Sequence, residues 1–134
     1  MLSNDWHPLH ADAHYAAASA TGQRVFQGGY GVLIALGLAT QFPAAGTRHA
    51  LALGTDDWRF LAPLFIGDTV HVEVEITGLR PTADGLRVIV KKQVSLVKSQ
   101  GEVAQQGCTT SIVRLSPLNE HSDKDKDKEN GDTQ

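Results

Sequence analysis

Residues 28–42 read GGYGVLIALGLATQF, and this stretch decides the fold. From Tyr30 to Ala39 every side chain is apolar, aromatic or absent, so a helix here has no polar face to turn to water. The run is too short to cross a bilayer, which needs about 20 apolar residues. A helix that is apolar on all sides is typically enclosed by protein. We therefore predict a buried helix over about residues 30–42, ended by Pro43.

The sequence after this helix predicts strands. Residues 69–77 (TVHVEVEIT) alternate strictly between apolar and polar side chains, which is typical of a half-buried antiparallel strand. Further strands are predicted over residues 51–61, 86–97 and 102–115, with a turn at 81–85 (PTADG). A short alanine-rich helix is predicted over residues 12–19, with Asp12 at its start. This order indicates an α+β fold, in which an antiparallel sheet wraps around the central apolar helix.

Composition limits the possible functions. The 134 residues predict one domain, and the net charge of −3 without a basic face argues against nucleic-acid binding. No apolar run is long enough for a membrane span, and the start (MLSNDWHPLH) lacks the pattern of a secretory signal. A single cysteine, Cys108, excludes an internal disulfide and fits a cytoplasmic location. We predict a folded domain over residues 1–115 and a disordered charged tail over residues 116–134.

The opening stretch, residues 4–12 (NDWHPLHAD), concentrates groups that transfer protons. Pro8 disfavours the helical conformation at His7, so we predict a bent, stiff loop. Such a loop can aim Asp5 and His10 at one point and hold a water between a carboxylate and an imidazole. The alternative is that both are solvated loop residues. A zinc site is a further alternative, since ligand types are present, but their spacing matches no usual pair: His7, His10, Asp12 and His14.

Residues 27–31 (QGGYG) come directly before the apolar helix. Glycines at a helix start allow a ligand to approach the backbone, where free N–H groups can polarise a carbonyl. The alternative is that Gly28 and Gly29 only permit close packing. Lys91 and Lys92 point to opposite faces of a strand; one could meet the phosphates of coenzyme A, but solvated side chains are the default interpretation.

Three motifs resemble those of the MaoC-like dehydratases, also called (R)-specific enoyl-CoA hydratases. DWHPLHAD (5–12) resembles their D-x-N-P-x-H-x-D signature, and VFQGGYG (25–31) resembles their V-x-H-G-M segment at the start of the central helix. FLAPLFIGDTVHVEVEIT (60–77) resembles their F-x-x-P-V-x-x-G-D-x-V strand pair. The resemblance covers nearly all of residues 1–115 and implies a hot-dog fold that pairs into dimers or higher homo-oligomers.

The resemblance also implies an activity, the reversible hydration of trans-2-enoyl thioesters to (R)-3-hydroxyacyl thioesters. Asp5 and His10 are then the catalytic acid–base pair, and His7, Gly28 and Gly29 bind the substrate. The acyl carrier is coenzyme A or an acyl carrier protein, as substrate and not as a resident cofactor, and no metal is implied.

Three departures from the family pattern stand out. His7 replaces the family's Asn, and Gln27 replaces its His before glycine. Only four residues precede Asp5, where family members carry a first strand, so either the sequence starts late or the sheet lacks that strand. Two other functions stay open: a hot-dog thioesterase, which uses an acid to direct water onto the thioester carbon, and a catalytically silent module for acyl-thioester binding or dimerisation.

Overall fold

The computed structural model describes residues 3–41 and 50–115 of the chain. Within these ranges the helices are α1 (Pro8–Ala11), α2 (Ala13–Ala17) and α3 (Gly28–Ala39), and the strands are β1 (Ala50–Phe60), β2 (Val70–Pro81), β3 (Arg87–Lys98) and β4 (Val103–Arg114). The strands form one antiparallel sheet in the order β1-β4-β3-β2. The predicted α+β class, one helix against a four-stranded antiparallel sheet, is confirmed. The predicted tail over residues 116–134 lies outside the described residues.

The strict alternation on β2 places its apolar residues towards α3. Val72 is buried, Val70 and Val74 pack at the margin of the core, and the charged residues between them are exposed. β2 continues to Pro81, which the sequence placed in the turn. Proline is tolerated there because β2 is an edge strand and Pro81 is its last residue.

Helix α3 packs on β2 and β3 with its small residues towards the sheet. Gly31 and Ala35 are buried at this contact, which lets the helix approach the strands closely. The opposite side is not covered by the described residues, since Leu33 is 64% exposed and Ile34 is 37% exposed. Within residues 3–41 and 50–115, the prediction that protein encloses this apolar helix is therefore wrong. The sheet covers one face only, and an apolar pattern does not say which element covers the other.

The N-terminal segment is more regular than expected. The prediction of a bent loop around Pro8 is wrong, because residues 8–11 form the one-turn helix α1 with the proline at its first position. Proline fits there because the first N–H groups of a helix have no partner within it. The predicted helix over residues 12–19 is confirmed as the shorter α2. The carboxylate of Asp12 accepts hydrogen bonds from the N–H groups of His14 (2.8 Å) and Tyr15 (3.0 Å).

None of the helices in residues 3–41 and 50–115 combines the length and the apolar character that a bilayer crossing requires.

The core is formed where α3 meets the middle of the sheet. Its buried members are all aliphatic and come from α3, the segment before β2, and strands β2 to β4: Ala35, Leu64, Val72, Val94, Leu96 and Ala104. Trp58 of β1 packs against this cluster. Its ring lies against Gly107 of β4, where a Cβ would collide with the ring.

Gly107→Ala should therefore destabilise the fold by about 1–3 kcal/mol, the usual cost of overpacking a filled core. The matched control is Gly54→Ala on β1, where nothing lies within 4 Å of the added Cβ. That control should leave the free energy of unfolding unchanged or raise it slightly, because alanine has less backbone entropy to lose. Urea unfolding followed by circular dichroism measures both values. Equal effects of the two substitutions would contradict the packing assigned to Trp58.

Candidate active site

Three short segments meet at the N-terminal end of α3. The segment before α3 is joined to α1 by the Val25 N–H, which donates to the carbonyl of Leu9 (3.2 Å). It is joined to the segment before β2 by the Phe26 N–H, which donates to the carbonyl of Leu64 (2.7 Å). Val25 also forms an isolated antiparallel bridge with Phe65. The short helix α1 is thereby held against the start of α3, although it is too short to be stable by itself.

His10 lies on α1 and is oriented by this backbone. Its Nδ1 is 2.8 Å from the carbonyl oxygen of Val25. Because a carbonyl can only accept, Nδ1 carries the proton, and the neutral ring keeps its lone pair on Nε2. Nε2 is 3.7 Å from Oδ2 of Asp5, and the two side chains are 18% and 35% exposed. The imidazole and the carboxylate therefore lie side by side at the surface, close enough to bind one water together.

Asp5 is held in its ionised form. Its Oδ1 accepts a hydrogen bond from the His7 N–H (3.1 Å), and this bond is the main reason why the pKa of Asp5 lies below the ordinary 3.8. Desolvation opposes the lowering of this pKa, while the nearby His10 and the side-chain amide of Gln27 add to it. Asp5 is thus the fixed negative charge beside the His10 ring.

The first turn of α3 presents free backbone donors. Oε1 of Gln27 caps the helix by accepting from the N–H of Tyr30 (3.1 Å). The N–H groups of Gly28 and Gly29 have no hydrogen-bond partner among the residues that the structure describes. N–H groups at a helix start carry the positive end of the helix dipole. They can therefore stabilise an oxygen atom on which negative charge develops.

A cleft of about 240 Å³ joins these groups, because both His10 and Gly28 line it. The ring of Phe60 lies over Gly28, and a Cβ at this glycine would be 2.8 Å from a ring carbon. Phe60 is 61% exposed, so it belongs to the wall of the cleft and not to the core. The remaining walls are mostly apolar: Val25, Phe26, Leu61, Ala62, Pro63 and Leu64, with Gln105 as the polar exception.

Gln105 is a site residue that the sequence did not reveal. It is 3% exposed, its Nε2 donates to the carbonyl of Gly28 (3.3 Å), and its Oε1 accepts from Nε1 of Trp58 (3.1 Å). Gly31 leaves room for this amide, since a Cβ there would collide with it. The bridge fixes the first turn of α3 on the sheet. The only signal in the sequence was a polar residue at an inward position of β4. Such a residue does not indicate a bridge until its hydrogen-bond partners are known.

The predicted site residues are thus partly assembled. His10 and Gly28 line one cleft, Asp5 lies beside His10, and Gly29 adds a second free N–H. His7 contributes differently, because its Nδ1 accepts from the N–H of Leu9 (3.2 Å) and caps α1, while its own N–H holds Asp5. Its predicted role in substrate binding stays a prediction.

The zinc alternative gains no support. In residues 3–41 and 50–115, no three His, Cys, Asp or Glu side chains converge as a metal site requires. The carboxylate of Asp12 is instead engaged in capping α2.

Comparison with known proteins finds similarity to dehydratases and hydratases. The model of the MaoC-like domain matches residues 1–98. The chain is 35% identical over 81 residues to 3-hydroxybutyryl-CoA dehydratase of Methylorubrum extorquens, covering 60% of this chain and 49% of that protein. It is 38% identical over 80 residues to the (R)-specific enoyl-CoA hydratase of Aeromonas caviae, covering 59% and 57%. The chain therefore spans only about half the length of the curated relatives it matches.

The fold comparison agrees with this. The crystal structure of the MaoC-like dehydratase from Rhodospirillum rubrum superposes with a TM-score of 0.76 at 26% identity, covering 86% of this chain and 79% of that one. The architecture is the hot-dog fold, as the motifs implied.

The carboxyl group of Asp5 should titrate below pH 3.8, and His10→Ala should remove only a minor part of this lowering, because the largest cause is the N–H of His7. A pKa lowered in the folded state means that the ionised carboxylate stabilises the fold above its ordinary pKa. This stabilisation is lost as the pH falls through the folded-state pKa.

Side-chain ¹³C NMR measures the titration midpoint of Asp5. Asp84, whose pKa is lowered to about 2 mainly by Thr82, serves as a control that His10→Ala leaves unchanged. A midpoint for Asp5 at its ordinary value, or a lowering that vanishes in His10→Ala, would contradict the assignment.

Proposed function

The chain belongs to the MaoC-like domain family, and from this premise we propose that it is a hydro-lyase acting on trans-2-enoyl thioesters. The reaction adds water reversibly and gives (R)-3-hydroxyacyl thioesters. Coenzyme A or an acyl carrier protein carries the acyl group as part of the substrate, and the proposal needs no resident cofactor. The observation that carries it is the His10–Asp5 contact of 3.7 Å beside a cleft that Gly28 also lines.

The pair binds the attacking water. The Asp5 carboxylate accepts one of its protons in a hydrogen bond, and the lone pair on Nε2 of His10 accepts the other. As the water oxygen bonds to C3 of the enoyl group, its proton passes to Nε2. The neighbouring carboxylate stabilises the imidazolium that forms, and Nδ1 stays bonded to the carbonyl of Val25 throughout (2.8 Å). Positioned acid–base groups of this kind contribute about 10²–10⁴ in rate.

The start of α3 stabilises the charge that this attack creates. The electron pair of the C2–C3 double bond moves towards the thioester carbonyl, whose oxygen becomes enolate-like. The N–H groups of Gly28 and Gly29 are free to donate to that oxygen, and the helix dipole adds to their effect. The ring of Phe60 packs over Gly28. A side chain at position 28 would therefore block the path of the thioester oxygen to these N–H groups, which explains why this position is a glycine.

The addition is completed when C2 takes the proton from Nε2 of His10. Oxygen and hydrogen then arrive on the same face of the double bond, since one side chain handles the proton in both steps. This stereochemistry is the syn hydration that the family resemblance implies. The apolar cleft walls suit the acyl chain next to the reacting carbons.

We also propose that the chain assembles as a homodimer or higher homo-oligomer through β1. This strand is at an edge of the sheet, and almost all of its residues are exposed. Leu51 is 70% exposed and Leu53 is 56% exposed, which is a liability for an isolated edge strand. Light scattering should give a mass of at least two chains, and a monomer at micromolar concentration would contradict the proposal.

Asp5→Asn and His10→Ala should each lower kcat/KM for crotonyl-CoA hydration by about 10²-fold or more, because each removes one partner of the bound water. Loss of the absorbance of the conjugated enoyl group measures the rate. Glu75→Gln and His14→Ala are matched controls, since both residues are exposed and neither lines the cleft or lies on β1. They should retain full activity, and circular dichroism checks the fold of all four variants.

The same assay separates the alternatives. Release of free coenzyme A without hydration would indicate the thioesterase. Binding of acyl-CoA without turnover, across a range of chain lengths, would indicate the silent module. Full activity of both Asp5→Asn and His10→Ala would refute the site.

A further inference from the structure

Lys92 is a buried cation far from the groups described so far. It is adjacent to Lys91 on β3, and the two side chains point to opposite faces of the sheet. Lys91 is exposed, whereas Lys92 is only 8% exposed and faces the side that carries α3. The solvated side chain expected from the sequence is therefore wrong for Lys92.

The other buried lysine shows what such a group needs. Nζ of Lys98 is 2.8 Å from Oε2 of Glu102 and 3.7 Å from Oδ2 of Asp68, so two carboxylates compensate its charge. Across the described parts of the chain, Nζ of Lys92 has neither an ion pair nor a hydrogen bond. Among these residues the Lys92 ammonium therefore has no counter-charge, and it is free to pair with an anion.

The surroundings of Lys92 form a cavity lined by hydroxyl groups. It has a volume of about 320 Å³ and lies between the C-terminal end of α3 and strands β1 and β4. Thr109 is directly opposite Lys92 on β4, and Thr55 of β1 is opposite Thr109. Ser111, the next inward residue of β4, has a buried Oγ that finds no hydrogen-bond partner within residues 3–41 and 50–115. A buried polar atom that lacks a partner indicates a ligand or water that the cavity receives.

The end of α3 does not supply the missing acceptor. The carbonyl of Gly37 accepts from both the N–H (3.3 Å) and the Oγ1 (2.7 Å) of Thr40. The carbonyl of Leu38 accepts from the N–H of Gln41 (3.0 Å). These helix-end carbonyls, which often bind a lysine, are already engaged.

We propose that this cavity binds the carboxylate of a small organic acid. The Lys92 ammonium pairs with the carboxylate, and the hydroxyl groups of Ser111 and Thr109 donate to its oxygens. One negative charge matches Lys92, the one cation among the described residues that line the cavity, whereas a phosphate dianion would leave a second charge without a partner in that lining. The apolar walls, which include Leu36 and Ala39, suit the hydrocarbon part of the acid.

The site is distinct from the cleft of Asp5 and His10. Leu36 lies eight residues after Gly28 on α3, which corresponds to about 12 Å along the helix axis. The ligand is then either a separate acid or the far end of an acyl chain that terminates in a carboxylate. Both sources offer the same chemistry to Lys92, and neither requires the proposed hydration reaction.

The test measures binding of hexanoate to the full chain by isothermal titration calorimetry, with a thermal unfolding scan at millimolar ligand. Hexanamide, which is neutral and of nearly the same shape, is the matched ligand. Hexanoate should bind and raise the midpoint of unfolding by a few degrees, and hexanamide should not, since only a ligand of the native state stabilises it. Lys92→Met should weaken hexanoate binding by about tenfold or more, because a charge-assisted hydrogen bond is lost. Lys91→Met, on the opposite face of the same strand, should bind as the unmodified chain does.

A second variant keeps the test decisive if Lys92→Met folds poorly. Ser111→Ala removes only the unpartnered hydroxyl, so it should fold normally and bind hexanoate several-fold more weakly. The proposal is overturned if hexanoate does not bind, if hexanamide binds equally well, or if both Lys92→Met and Ser111→Ala retain full affinity.

The source of the carboxylate is tested in Asp5→Asn, which binds substrate without turning it over if the proposed function holds. In this variant, an enoyl-CoA with a terminal carboxylate is compared with the same enoyl-CoA ending in a methyl group. Tighter binding of the carboxylate form, lost in Lys92→Met, assigns the site to the acyl substrate. Equal binding of the two thioesters, with hexanoate still bound, assigns it to a separate acid. Failure of hydration leaves the hexanoate result valid, so the two proposals fail independently.

Discussion

The hydrogen bond from Nδ1 of His10 to the carbonyl of Val25 is the interaction on which the candidate site depends. It selects the tautomer that leaves Nε2 free, and it directs Nε2 towards Asp5. It also ties a four-residue helix to the chain segment that leads into α3. A surface histidine with free rotation would satisfy neither condition. The proton-transfer group and the start of the helix are therefore positioned by the same backbone carbonyl.

The second constraint is how closely α3 approaches the sheet. Gly31 on the helix and Gly107 on β4 leave space for Gln105 and for the ring of Trp58. The amide of Gln105 then joins Trp58 to the carbonyl of Gly28. A buried polar bridge of this kind is stable only when each of its groups has a partner. Two glycines on separate elements are thus part of one arrangement, which fixes where the free N–H groups of α3 point.

The features that the sequence predicted correctly are those that depend on residues close together along the chain. The alternation on β2 gave the inward face, Asp12 gave the start of α2, and the spacing of Asp5 and His10 gave a contact that the structure contains. It did not predict the uncovered side of α3, the bridge made by Gln105, or the burial of Lys92. These features depend on which strands are adjacent, and residues such as Trp58 and Gln105 lie 47 positions apart. The helix at Pro8 was missed for a local reason, since proline both interrupts helices and begins them.

The two ends of α3 offer opposite electrostatics, and the residues placed there follow that difference. At its N-terminal end the helix dipole and free N–H groups favour negative charge, so an oxygen atom can be stabilised there without a cationic side chain. At its C-terminal end the dipole favours a cation, and Lys92 lies next to that end. An anion bound there is opposed by the helix and must be held by the lysine and the nearby hydroxyl groups. A site for an anion at this end therefore depends on one side chain, whereas the site at the other end depends on the backbone.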